Sequence, residues 1–207
     1  MGSSTPVPSP SSRTALPIHD QARVIGAYLW LEQRLFEMLG SWVADEPDPQ
    51  ARVLFDAHSA HHGWHAELFA GRMPLVEGLD EDSLTSAPGV GAQRLFEVAS
   101  LAETTLLRLS ALSRVVLPRM ITGYRLHLRR AAPVADAPLC RALQLALRDE
   151  VEAWQETEGL FEQLAHVPGD LSGEDRSEAL SRHLGDLEAA LSAEFPGFVP
   201  WPGADSG

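Results

Sequence analysis

Apolar side chains recur every three or four residues along most of the chain, the spacing that lines one face of an α-helix. This pattern predicts four long helices and a shorter fifth one, at residues 18–44, 48–69, 91–131, 136–166 and 173–194. Pro118 falls near the middle of the third segment and should kink or break it. No stretch alternates apolar and polar residues as a half-buried strand would. The sequence therefore predicts an all-α protein.

The connections between these predicted helices differ in length. The loop within the first pair of long helices and the loop within the last pair are short, whereas residues 72–91 between the pairs hold several Gly, Pro and acidic residues without a period. Such long connections are uncommon unless the chain crosses over another element. A short loop, a long crossover and a short loop are typical of an up-down four-helix bundle with one crossover.

The predicted fifth helix is additional to that bundle. We expect a bundle domain at residues 18–195, preceded by a disordered segment at 1–17 and followed by an extended tail at 196–207. The fifth helix and the aromatic residues of the tail would either cover the bundle or form a contact with a second copy of the chain or another partner.

Composition excludes several classes of function. The net charge of −13 disfavours binding to nucleic acid. All 16 basic residues are Arg, which excludes a Schiff-base lysine and a phosphate-loop lysine. The single Cys140 excludes an internal disulfide and a cysteine-rich metal site. Without an apolar run of membrane-spanning length or a secretory signal pattern, we expect a soluble, cytoplasmic protein with no membrane partner.

Two acidic residues occupy positions on apolar stripes. Glu32 lies between Leu29 and Leu35 in the first predicted helix, and Glu150 follows Leu147 in the fourth. Burying a carboxylate costs several kcal/mol unless a cation, a metal ion or a proton compensates its charge. The two positions therefore call for a shared explanation.

The second predicted helix carries four of the eight His residues within residues 58–65. His58, His62 and His65 fall on one face, with His61 at its edge, and imidazoles one turn apart can converge on one ion. Counting residues from the shared loops at about 1.5 Å per residue places Glu32, the His residues and Glu150 at one height in the bundle. Face and height together predict a metal site.

On these residues, positions 18–166 resemble the ferritin-like superfamily of carboxylate-bridged di-iron and di-manganese proteins. That family supplies Glu from the first and third helices and Glu-x-x-His from the second and fourth. Glu32 matches the first position. In His62-x-x-His65 the His is kept and a second His replaces the Glu, and in the fourth helix Glu150 is kept but its His partner is not.

The candidate in the third predicted helix is Glu103, which lies near inward-facing residues but on a continuous helix would stand about 20 Å from the others. The predicted ligands are Glu32, His62, His65 and Glu150, with His58 and Glu103 in reserve. The resemblance implies one or two ions of iron or manganese. It further implies a non-haem oxidase or oxygenase that uses dioxygen or peroxide on a small-molecule substrate.

An alternative interpretation needs no metal. Arg114, Arg119 and Arg125 lie near the level of the buried acids, and guanidinium groups could neutralise them. The bundle would then serve as a binding or assembly module. The same three residues belong to an Arg-rich stretch that would form either an anion-binding site or a solvated face paired with acids.

Overall fold

The computed structural model describes residues 15–75, 77–78, 80–166, 173–191 and 198, except for the side chains of residues 81 and 82. Every regular element in these ranges is helical, which confirms the all-α prediction. The elements are α1 (Ile18–Val43), α2 (Pro49–Ala70), α3 (Glu81–Leu84), α4 (Val90–Ser100), α5 (Thr105–Ser110), a π-helical segment (Ala111–Val116), α6 (Leu117–Arg130), α7 (Ala137–Ala165) and α8 (Gly173–Ala190).

Local sequence explains where α2 begins and ends. The Asp48 carboxylate accepts hydrogen bonds from the backbone N–H groups of Gln50 and Ala51, each at 2.9 Å, and Pro49 occupies the first turn. The helix ends at Gly71, as predicted. The first, fourth and fifth predicted helices likewise correspond to α1, α7 and α8.

The prediction for the third helix was wrong about the position of the break. The chain leaves the helical conformation at Leu101–Thr104, and the Thr104 hydroxyl then caps α5 by accepting from the N–H of Leu107 at 3.3 Å. Pro118 lies in the first turn of α6, directly after the π-helical segment. There the N–H of Leu117 bonds to the carbonyl of Leu112, five residues back, so a wider turn accommodates the proline without ending the helix.

Contacts between helices define their relative directions. The Ser59 hydroxyl donates to the Phe36 carbonyl at 2.9 Å, and His62, further along α2, meets Glu32, an earlier residue of α1. Because a later residue of α2 contacts an earlier residue of α1, the two helices are antiparallel.

The same test applies to the other long helices. Gln50 contacts Gln163 and the later His58 contacts Glu156, so α2 and α7 are antiparallel. Tyr28 contacts His127 and Glu32 contacts Tyr124, so α1 and α6 are antiparallel as well. It follows that α2 and α6 run in the same direction, and that the chain from Gly71 to Thr104, which includes α3 and α4, must travel back along the molecule.

A buried ion pair, which the sequence analysis missed, supports this path of the chain back along the molecule. The Arg108 guanidinium donates to the Glu46 carboxylate at 2.9 Å, and its Nε donates to the carbonyl of Ala102 at 3.0 Å. Glu46 is fully buried, and it lies in the connection between α1 and α2. The pair therefore fixes the start of α5 against that connection.

Helix α8 packs against α4, α5 and the π-helical segment, and its Leu187 is fully buried. The predicted disordered segment at 1–17 lies outside the described residues except for 15–17, and so does the predicted tail at 196–207 except for Phe198, which is buried. None of the described helices is long and apolar enough to span a membrane.

Two helical glycines offer opposite tests of the packing. A Cβ atom on Gly26 in α1 would come within 2.2 Å of the Leu84 carbonyl oxygen, whereas one on Gly159 in α7 would meet nothing within 4 Å. Gly26→Ala should lower the free energy of unfolding by about 1–3 kcal/mol through overpacking. Gly159→Ala should raise it by about 0.5–1 kcal/mol, because Ala loses less backbone entropy than Gly. Urea unfolding followed by circular dichroism measures both, and stabilisation by both substitutions would contradict the close approach of α1 and α3.

Candidate metal centre

Four side chains from three helices meet in the core. Glu32 comes from α1, His62 and His65 from α2, and Glu150 from α7, and one ligand atom of each lies within 4.8 Å of the others. At most 2% of any of these residues is exposed to solvent. The structure thus brings together the four residues that the sequence analysis placed first among the candidate ligands.

The spacing of the ligand atoms fits a single ion. His62 Nδ1 lies 2.6 Å from Glu32 Oε2 and 3.3 Å from Glu150 Oε1. His65 Nδ1 lies 3.5 Å from each of the same two oxygens. A tetrahedral ion with bonds of about 2.1 Å separates its ligand atoms by about 3.4 Å. Three of these four distances are close to that value, whereas the fourth is a hydrogen bond between His62 and Glu32.

Several ligand atoms in the cluster have no hydrogen-bond partner. These atoms are Nδ1 of His65 and both carboxylate oxygens of Glu150, and all three are buried. Buried polar atoms without a partner are costly and uncommon in folded proteins. A cation at the centre of the cluster would satisfy all of them together.

Two further residues orient the ligands from outside. The Asp149 carboxylate accepts a hydrogen bond from Nε2–H of His65 at 3.3 Å. This bond orients the ring so that Nδ1 faces the cluster. The Tyr124 hydroxyl donates to Oε1 of Glu32. Neither role follows from helical periodicity, although the position of Asp149 directly before an inward-facing acid could have suggested it.

The charges of the cluster shift the pKa values of its members. Burial alone would raise the pKa of Glu32, but the positive charges of His65 and His62 lower it to about 2. Burial alone would lower the pKa of His65, but the negative charges of Glu32 and Glu150 raise it to about 11. The pKa of His62 is also raised, because the charges of Glu150 and Glu32 outweigh its burial. Without an ion, His65 therefore holds a second proton at neutral pH.

The two reserve ligands do not join the cluster. Glu103 is exposed and lies in the break between α4 and α5, so its assignment as a ligand was wrong. His58 is buried one turn before His62, and its Nε2 lies 3.1 Å from a carboxylate oxygen of Glu156 instead. Burial lowers the pKa of His58 to about 4, so its ring is neutral at pH 7.

The three Arg residues that were candidates to neutralise the buried acids do not contact the cluster either. Arg114 pairs with Glu158, Arg119 lies 2.5 Å from Glu188, and Arg125 is exposed. In the part of the chain that the structure describes, no guanidinium group contacts Glu32 or Glu150, so the prediction that Arg neutralises the core acids was wrong. Because two of the three residues already pair with carboxylates, the stretch also matches a solvated face better than an anion-binding site.

An open groove of about 640 Å³ lies between α1 and α4, lined by residues that include Trp30, Arg34 and Phe96. None of the four cluster residues lines it. The groove is therefore separate from the chemistry of the cluster.

No protein family, curated protein or solved structure matches the chain. The chemistry of the cluster therefore has to be inferred from its own residues.

The pKa shifts predict different protonation states for His residues on one helix. In metal-free protein at pH 8, His65 should carry protons on both ring nitrogens, because pH 8 lies below its pKa of about 11. His58 should carry a single ring proton even at pH 6, which is above its pKa of about 4. Nitrogen NMR of the imidazole rings distinguishes these states. A neutral His65 at pH 8 would contradict this balance of charges within the cluster.

Proposed function

We propose that this chain is a ferritin-like helical protein that binds iron or manganese at Glu32, His62, His65 and Glu150. The observation that carries the proposal is the set of buried, unpartnered ligand atoms that face one another in this cluster. Two imidazoles and two carboxylates without a thiolate are a donor set that suits iron, manganese or zinc. The resemblance to the ferritin-like superfamily favours the first two.

The directions of the long helices support the ferritin-like assignment. Helices α1 and α7 point one way and α2 and α6 point the other way, with one long connection between α2 and α6. A four-helix bundle with a single crossover has this arrangement. Helix α8 would then be an addition to the bundle.

We further propose that the protein is a non-haem metal-dependent oxidoreductase. When bound, iron or manganese would supply redox chemistry with dioxygen or peroxide. The chain's own residues keep the site buried, which excludes bulk water and restricts access to small molecules. Asp149 holds His65 in the tautomer that binds a cation, and Tyr124 holds one oxygen of Glu32, so the ligand set is oriented in advance.

A metal-free bundle that serves as a binding or assembly module is the second candidate. It is favoured by the charge of the cluster, because imidazoles with raised pKa values can compensate the carboxylates without help from Arg. This candidate leaves both oxygens of Glu150 without a hydrogen bond, although Oε1 lies 3.3 Å from Nδ1 of His62 and 3.5 Å from Nδ1 of His65.

The metal content of the purified protein distinguishes the metal-binding candidate from the metal-free one. The purified full chain, loaded with Fe(II) or Mn(II) and freed of excess ion, should retain metal when measured by elemental analysis. His62→Asn should lose nearly all of it, because one of four ligands is removed. His58→Asn is the matched control, since His58 lies on the same helix, is equally buried and also faces a carboxylate. It should retain metal like the unchanged protein.

Two results would contradict the proposal of metal binding. One is a folded chain that refuses both ions, and the other is equal retention by the His62→Asn and His58→Asn variants. Thermal unfolding of each variant without metal shows whether it is folded. Oxygen-uptake assays of the loaded protein would then test the proposed oxidative chemistry separately.

Because Asp149 positions a ligand without binding the ion itself, its substitution should weaken metal binding without abolishing it. Asp149→Asn keeps the shape of the side chain but removes the charge that favours the Nε2–H form of His65. Its metal affinity should fall about 10–100-fold, the usual cost of losing such a partner. Competition with a chromophoric chelator measures the affinity. Glu152→Gln, an exposed acid on the same helix, should leave it unchanged, and an equal loss in both variants would point to a general effect of surface charge.

A further inference from the structure

We propose that the cluster holds one ion per chain, and that Tyr124 occupies the side of Glu32 on which a second ion would need to bind. This inference rests on the proposed metal binding and selects one ion from the one or two that the resemblance implies. Three independent features support it: the number of ligands, the contacts of Glu32 and the balance of charge.

The part of the chain that the structure describes offers too few ligands for two ions. The two-ion set of ferritin-like proteins draws a carboxylate from every helix of the bundle. Here residues 105–130, which form α5, the π-helical segment and α6, contain neither Asp nor Glu. Glu103, the nearest acid before them, is exposed outside the helices. The cluster is thus limited to two carboxylates and two imidazoles.

Tyr124 takes up one oxygen of Glu32. A carboxylate that bridges two ions binds one ion with each oxygen. Oε2 of Glu32 faces His62 and His65, but Oε1 accepts the hydrogen bond of the Tyr124 hydroxyl. The Tyr124 ring packs against Tyr28 and Phe69, with ring centroids 5.0 and 5.7 Å away. Buried aromatic rings therefore fill this side of Glu32.

Glu150 differs from Glu32 in this respect. Both of its oxygens are buried without a hydrogen-bond partner, so both are available to an ion in the cluster. Glu32 would thus bind through one oxygen, whereas Glu150 can offer two. This gives a single ion up to five ligand atoms from four residues.

The balance of charge also favours one ion. Two carboxylates neutralise one divalent cation when both imidazoles are neutral, whereas a second divalent cation would leave two positive charges in the core. The other buried acids are engaged elsewhere. Glu46 pairs with Arg108, and Asp136 accepts from the N–H of Ala132 at 2.7 Å and from Gln21 at 2.9 Å.

A titration with Mn(II) tests the inference. Metal-free full-length protein is dialysed against increasing Mn(II), and the bound ion per chain is counted by elemental analysis. Electron paramagnetic resonance then reports whether the bound ions are isolated or magnetically coupled. We expect saturation at one ion per chain with the spectrum of isolated Mn(II).

Saturation at two ions per chain, or a spectrum of coupled ions, would overturn this inference and leave the proposed metal binding intact. If no Mn(II) binds, the titration is repeated with Fe(II) under exclusion of oxygen, and binding of neither ion by the folded chain would overturn both. The two failures are therefore distinguishable in one experiment.

The two Tyr residues of the chain form a matched pair for the role of Tyr124. Tyr124→Phe keeps the ring but frees Oε1 of Glu32, so it should still bind one ion, with an affinity lowered about tenfold or more. Tyr28→Phe removes a hydroxyl that contacts His127 at 3.1 Å rather than a cluster ligand, and its affinity should change less than twofold. Equal affinities in the two variants would show that Tyr124 does not position Glu32.

Discussion

The burial of two carboxylates and two imidazoles at one level of the core is the constraint on which the rest of this structure depends. Each charge has left water and has to be compensated locally. Compensation works only if α1, α2 and α7 keep their register to within a fraction of a helical turn. Bonds near the cluster fix that register, as the hydroxyl of Ser59 does by donating to the carbonyl of Phe36.

None of the four cluster residues lies in irregular backbone. The π-helical segment admits Pro118 without ending the helix, and the break at Leu101–Thr104 is held by the buried pair of Arg108 and Glu46. Because these features absorb the irregularities of the third long segment, Tyr124 can reach Glu32 from α6. The ion pair of Arg108 with Glu46 and the Glu/His cluster therefore have different physical roles. The ion pair joins two segments of the chain, whereas the cluster contains buried ligand atoms that accept no hydrogen bond.

The sequence sufficed for the faces of the helices and for the four central residues, because periodicity identifies the buried face and short loops fix the relative height. The sequence did not suffice to distinguish the partners of two residues that lie on one helix face, one turn apart. His58 and His62 share a face, yet His58 meets Glu156 and His62 meets Glu32 and Glu150. The bond of Tyr124 to Glu32 joins residues 92 positions apart, and only the packed structure defines such a contact.

Two kinds of positive charge could compensate the carboxylates of the cluster. One is the additional ring protons of the imidazoles, whose pKa values are raised; the other, under the proposed metal binding, is a divalent cation. Since protonated imidazoles already oppose the carboxylates, the fold does not require the ion in order to bury these groups. Under the proposed metal binding, a cation would displace ring protons, and its affinity should rise with pH as long as His65, with a pKa of about 11, stays protonated in the metal-free chain. The proposed ion would thus enter a cluster that the fold already holds together.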